Sequence, residues 1–231
     1  MSIRKSKKIL LILQILFIMI LVTGCIKNNN NDNEEKYDFT DLTVRDYVSN
    51  NGMVSAASPY AAKVGLEILK KGGNAFDAAV AVAFSLGVVE PNASGLGGGG
   101  FMVGYDVSNG EFMSYDFREF VPGRGIPSAF PNRNSDTSDG PKSIGVPMEV
   151  DGLLTILENH GIMSRQDVMA PAIKYAREGV PVTPEVARAI NDNFYKLMRM
   201  REETVDVYTS DEISPLVAGE LLINEKLANS L

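Results

Sequence analysis

Four consecutive glycines, Gly97 to Gly100, lie within Ser94–Met102, and Arg118 follows sixteen residues after Met102 in Asp116-Phe117-Arg118-Glu119. Glycine lets the backbone come close to a ligand or to another element, because no Cβ stands in the way. A guanidinium matches a carboxylate through two parallel charge-assisted hydrogen bonds. Together they suit a small anionic ligand, with exposed backbone N–H groups on one side and one cation on the other. Each feature also has a structural reading. The glycines would let a hairpin pack tightly against a core helix, and Arg118 would pair with Asp116 or Glu119.

Other chemistries are excluded by what the chain lacks. The glycine run has no Lys-Ser/Thr pair after it and leads into a strand rather than a helix, so it is not a phosphate-binding loop. His160 is the only histidine and Cys25 the only cysteine, which removes imidazole-based triads, zinc sites and intramolecular disulfides. No metal and no cofactor is expected. His160 itself, in Glu158-Asn159-His160-Gly161, suits a helix end where the dipole favours a cation. No residue of this chain stands out as a nucleophile.

The elements that must position these residues follow from periodicity and turn chemistry. Met53–Ala57 reads as a strand, after which Ser58 and Pro59 open a helix reaching about Lys71. Gly72-Gly73 ends it, and Asn74 with Asp77 forms a capping box for a second helix, Ala75 to about Val89. That helix has apolar residues on every side and is expected to be surrounded by protein. Asn109-Gly110 predicts a hairpin joining strands Phe101–Val107 and Glu111–Phe117, with Met113, Tyr115 and Phe117 on one face and Ser114, Asp116 and Arg118 on the other. Pro122–Ile144 is rich in turn-forming residues and is expected to be irregular. Helices are predicted over Val150–Asn159, Gln166–Glu178 with a kink or break at Pro171, and Pro184–Met200 capped by Thr183. Leu221–Ile223 reads as a short strand and Asn224 as the cap of a short helix that the chain end cuts off.

Of the chain's 231 residues 45% are hydrophobic, as expected for a globular protein with a real core. The first 24 hold four of the 22 basic residues (Arg4, Lys5, Lys7, Lys8) and no acid, so 18 basic residues face 29 acidic ones thereafter, a formal charge of −11. Such a surface does not suit nucleic acid. The basic stretch, the apolar run Ile9–Val22 and Val22-Thr23-Gly24-Cys25 form a secretory leader over residues 1–24 that resembles a bacterial lipoprotein signal. Cys25 is then the lipidation site, an uncleaved anchor being the alternative, and the protein is expected outside the cytoplasm on the cell membrane. Residues 25–40, rich in Asn, read as a flexible tether.

Several segments together resemble the γ-glutamyltransferase family, also known as γ-glutamyl transpeptidase or glutathione hydrolase. They are Gly52-Met53-Val54-Ser55, Leu69–Ala81, Leu96–Met102, Asp116–Pro122, Ser143–Pro147 and Ala170–Gly179, followed by Gly219-Glu220, Asn224 and Leu227-Ala228. Met148 and Asp151 depart from the family's usual Gly and Ala. The resemblance covers about residues 50 to 231 and implies an α+β fold, part of the αββα four-layer N-terminal nucleophile hydrolase architecture, with residues 41–231 as an incomplete large-subunit domain and its second half mostly helical. It further implies a proenzyme whose small subunit begins with a Thr that forms a γ-glutamyl ester, its own α-amine serving as base. Water or the amine of an amino acid or peptide then accepts the glutamyl group. Arg118 matches the arginine that holds the substrate α-carboxylate. Thr155, Thr183, Thr204 and Thr209 do not match the nucleophile's context.

On this reading the chain is a fragment whose missing C-terminal half carries the nucleophile, inactive alone, with a glutathione-like γ-glutamyl molecule as the whole enzyme's substrate. Two alternatives stand beside it. One is a piece of a transferase acting on poly-γ-glutamate at the cell envelope. The other is a non-catalytic module that binds acidic amino acids through Arg118.

Overall fold

The computed structural model describes residues 48–123, 125–131, 140–199, 202–211 and 213–231. The leader, Cys25 and the tether lie outside the described residues. Helix α1 (Pro59–Lys70) begins with proline in its first turn, and Ser58 at the N-cap is buried without a side-chain hydrogen bond to the helix. Gly72, at φ +94°, ends it as the amide of Gly73 reaches back to the carbonyl of Ile68. That left-handed turn is where glycine carries no Cβ penalty.

Helix α2 (Ala75–Val89) starts from the predicted capping box. Asn74 Oδ1 accepts from the amides of Phe76 and Asp77, while Asp77 Oδ2 accepts from the Asn74 amide at 2.8 Å. Only Ala75 of α2 is exposed. Helix α1 packs along it, as do α3 (Glu149–His160) and α4 (Arg165–Glu178). Gly65 permits the α1–α2 approach, since a Cβ there would lie 2.7 Å from both Val54 and Val82.

Strands β1 (Gly100–Asp106) and β2 (Glu111–Phe117) form the expected antiparallel hairpin, with Gly100 opposite Phe117 and Asp106 opposite Glu111. Gly110 takes a left-handed φ of +73° in the turn. Met113, Tyr115 and Phe117 face inward and Ser114, Asp116 and Arg118 outward, as the alternation requires. Gly104 lies against the Phe76 ring and Phe117 against Gly152 of α3, so missing side chains set how closely helices and hairpin meet.

The remaining elements are short: β3 (Val180–Pro181), α5 (Pro184–Asp192), α6 (Phe194–Leu197), α7 (Glu202–Tyr208), β4 (Leu221–Leu222) and α8 (Glu225–Ser230). Strands β3 and β4 pair antiparallel, and Asn224 Oδ1 caps α8 by accepting from the Leu227 amide at 2.9 Å. Helix α8 packs on α4.

Three expectations need correction. Met53–Ala57 forms no strand, because among the described residues nothing pairs with it and it packs instead beside α1. The helix expected over Pro184–Met200 is interrupted at Asn193, whose side chain bonds back to the Ala189 carbonyl at 2.9 Å and competes with continuation; Met200 lies outside the described residues. Of the kink or break expected at Pro171, the break is absent, since α4 runs through that residue.

A single carboxylate ties three of these parts together. Asp77, fully buried, accepts from the amides of Asn74, Ile162 and Met163, binding the start of α2 to the α3–α4 connection. Asp77→Ala strands those amides and is expected to lower stability by about 2–4 kcal/mol, measured by urea unfolding; a loss under about 0.5 kcal/mol would show that water replaces the carboxylate.

Candidate functional site

Arg118 leaves the end of β2 at the rim of a cleft of about 780 Å³, whose wall includes Gly97–Gly100, Glu119 and Glu149. Its side chain is 53% exposed. The backbone holds it from behind, since the Arg118 amide donates to Asp116 Oδ1 at 3.0 Å and guanidinium Nη1 donates to the Gly99 carbonyl at 3.3 Å. Nη2 lies 3.1 Å from Glu119 Oε2. Of the two ion pairs expected for Arg118, the structure therefore forms the one with Glu119; Asp116 instead holds the backbone. The guanidinium half of this pair is open to solvent, where an incoming carboxylate can reach it.

The glycine run is shaped by close contacts over most of its length. The Gly98 carbonyl accepts from the amides of both Met148 and Glu149 at 3.0 Å, hooking the loop onto the start of α3. A Cβ on Gly99 would strike the Phe117 carbonyl, and one on Gly100 would press on the Phe117 ring at 3.0 Å. Gly97 alone of the four faces open space. The packing reading thus accounts for Gly98, Gly99 and Gly100, while Gly97 leaves backbone accessible in the cleft beside Arg118.

Glu149 is the residue that sequence reasoning passed over. At the first position of α3 it resembles an ordinary acid in a helix's first turn, yet the fold turns it into the cleft wall, 9% exposed. Burial foremost, then the nearby Glu119 charge, pushes its carboxyl up to about 7, against the opposing pull of a hydrogen bond from the Gly95 backbone. Its only sequence signal was its place in the segment Val146–Gly152 that departs from the usual pattern at Met148 and Asp151. The far wall, with Tyr208, Leu222, Asn224 and Leu227, comes from the end of the chain.

His160 is not part of this site. Its Nε2 lies 2.7 Å from the Tyr115 hydroxyl, and its ring packs on Phe76 with centroids 4.8 Å apart. Its backbone carbonyl accepts from Asn74 Nδ2, so it joins hairpin, α2 and α3. Gly161, at the C-cap with an ordinary φ of −72°, is required by space, because a Cβ would come within 2.6 Å of Asp77 Oδ1.

Comparison with known proteins follows the same lines. Residues 61–231 match the sequence model of the gamma-glutamyltranspeptidase family. The glutathione hydrolase proenzyme of Bacillus subtilis is 38% identical over 189 residues, covering 79% of this chain and 32% of that protein. The Escherichia coli glutathione hydrolase proenzyme is 36% identical over 186 residues, covering 78% and 32%. The chain spans about a third of the length of the curated relatives it matches. Among solved structures, the Helicobacter pylori gamma-glutamyltranspeptidase superposes with a TM-score of 0.75 at 29% identity, covering 80% of this chain and 54% of that one. The Bacillus anthracis transpeptidase CapD superposes with a TM-score of 0.64 at 31% identity, covering 79% and 57%. The resemblance borne by the glycine run, Asp116–Pro122 and the segment Leu69–Ala81 is thus matched in sequence and in three dimensions, and the chain belongs to the γ-glutamyltranspeptidase family, with the α+β fold of its N-terminal nucleophile hydrolases.

Proposed function

We propose that this chain supplies the carboxylate clamp of a γ-glutamyl-transferring glutathione hydrolase. The observation that carries the reading is Arg118, half-exposed at the cleft rim beside the Gly97 backbone, within the segment matched to the family. Glutathione and its analogues carry an α-carboxylate at the far end of the glutamyl side chain from the scissile γ-amide. A guanidinium that exchanges Glu119 for that carboxylate fixes the donor in place through two parallel hydrogen bonds. The γ-carbonyl is then held for attack, which converts much of the entropic cost of the reaction into binding.

The nucleophile on this reading is a Thr outside this chain, which attacks the γ-carbonyl to give a γ-glutamyl ester and passes its proton to its own amine. The leaving amine takes that proton. Water or a second amine then attacks the ester and restores the Thr. None of the chain's threonines lines the Arg118 cleft among the described residues. The outer face of the hairpin supports the need for a further polypeptide, as Phe101, Val103 and Phe112 are 67%, 78% and 80% exposed. A contiguous apolar face of this kind marks a surface that another element covers. Lipid on Cys25 would hold the assembly at the outer surface of the cell membrane.

Alone, the chain is expected to release no amine from a chromogenic γ-glutamyl anilide; release above the buffer rate would place a nucleophile on it. Binding of L-glutamate, read by calorimetry, is expected to weaken roughly tenfold or more in Arg118→Lys, which keeps the charge and loses the fork. Equal affinity for both proteins removes Arg118 from the site. Cys25→Ser is expected to abolish incorporation of labelled palmitate in a bacterial host and to move the chain out of the detergent phase; continued labelling would locate the lipid elsewhere.

A further inference from the structure

Three acid–base groups meet on one short stretch of backbone. Gly98 is pinned by its carbonyl to the amides of Met148 and Glu149, and the carboxyl groups of Glu149 and Glu119 both reach within 3.6 Å of the point where a Cβ on Gly98 would stand. Glu119 Oε2 lies 3.1 Å from the Arg118 guanidinium but is buried, and among the described residues it makes no hydrogen bond of good geometry. Among the described residues no hydrogen bond or ion pair joins Glu149 to Arg118. Glu119 links the two, pairing with the guanidinium on one side and acting with its charge on the Glu149 carboxyl on the other.

We propose that Glu149 is a positioning residue for Arg118 that acts through Glu119: one proton held on this carboxyl pair at Gly98 sets the net charge beside the guanidinium, and with it how firmly Arg118 holds an incoming carboxylate. With Glu149 protonated, Arg118 and Glu119 balance, and an anionic ligand meets a neutral site that it can enter by displacing Glu119. With Glu149 ionised, the same site carries one uncompensated negative charge, and the ligand is repelled. The consequence for substrate rests on the carboxylate-clamp reading of Arg118; the proton on the pair does not.

The surroundings leave these groups in control. The cleft that Glu149 lines is walled by α2, the Pro91–Gly99 loop, the end of β2, α7 and residues between Leu222 and Leu227. Among the described residues, the one other titratable side chain lining the cleft beside Arg118, Glu119 and Glu149 is that of Tyr208, whose hydroxyl burial pushes up and so keeps neutral. The direction of the effect follows from the raised Glu149 carboxyl. Its proton is present below about pH 7 and leaves above it, so affinity for an anion is high on the acid side and falls as pH rises through neutrality.

The test uses the full chain in lipid nanodiscs, with ¹³C-labelled glutamate side chains and L-glutamate as the probe ligand. One carboxyl carbon is expected to titrate near neutrality, to vanish in Glu149→Gln, and to move to lower pH in Glu119→Gln, which removes the repelling charge. L-Glutamate affinity is expected to fall about fivefold or more between pH 6 and pH 8 in the wild type and to stay flat in Glu149→Gln, which keeps the shape of the side chain. The inference is overturned if every glutamate carbon titrates in the ordinary carboxylate range, if Glu119→Gln leaves the unusual one unmoved, or if affinity is independent of pH. Titration as expected with no L-glutamate binding at any pH supports the proton on Glu149 and refutes the clamp reading. Binding that responds to Arg118→Lys but not to pH does the reverse.

Discussion

The carbonyl of Gly98 is the point on which this molecule turns. By accepting two amides from the start of α3 while its neighbours press against β2, it forces the glycine loop, the end of the hairpin and a helix N-terminus into a space that no side chain could share. Backbone groups buried at such a junction must be paired, and here the pairing fixes the location of Arg118, Glu119 and Glu149 at once. A guanidinium at the end of an isolated hairpin would sweep through solvent. With its backbone amide held by Asp116 and its Nη1 on the Gly99 carbonyl, the same residue is aimed along one wall of a cleft.

Below this junction the architecture rests on a helix with no solvent-facing side. Helix α2 touches α1, α3 and α4, and its apolar length is what makes those contacts favourable. An apolar helix of this kind has no preferred rotation of its own, since every face is equally content when buried. The polar groups supply the missing orientation. Asp77 and Asn74 bind the α2 N-terminus to the α3–α4 connection, and His160 joins the same corner to the hairpin through Tyr115. Hydrophobic burial thus drives assembly, while a few buried polar contacts select one arrangement.

How much of this could be read from residues alone depended on the range of the interactions. The capping box at Asn74, the hairpin at Asn109-Gly110 and the alternation of β2 are local, and the structure reproduces each. Met53–Ala57 was misread because strand character is fulfilled only by a partner, which no local pattern reveals. The break at Asn193 lay below the resolution of periodicity, since Ala189, Ile190 and Leu197 suit a continuous helix and one side-chain hydrogen bond ends it. In the site, the nearness of Arg118 to the glycine run was visible because a hairpin brings together residues close in sequence. Glu149 was not, because its meeting with Glu119 joins segments thirty residues apart through a contact between backbones.

The far wall of the cleft carries a different implication. Leu222, Asn224 and Leu227 belong to the last ten residues, yet they face the same space as Arg118, held there by the β3–β4 ladder and by the Asn224 amide bonding to the Ala176 carbonyl at 2.8 Å. The arginine and this wall therefore enclose one cleft, although more than a hundred residues of chain separate them. Ribosomes emit Arg118 long before they emit its opposite wall, so during synthesis the cavity stays a half-open groove until Leu222, Asn224 and Leu227 have left the exit tunnel.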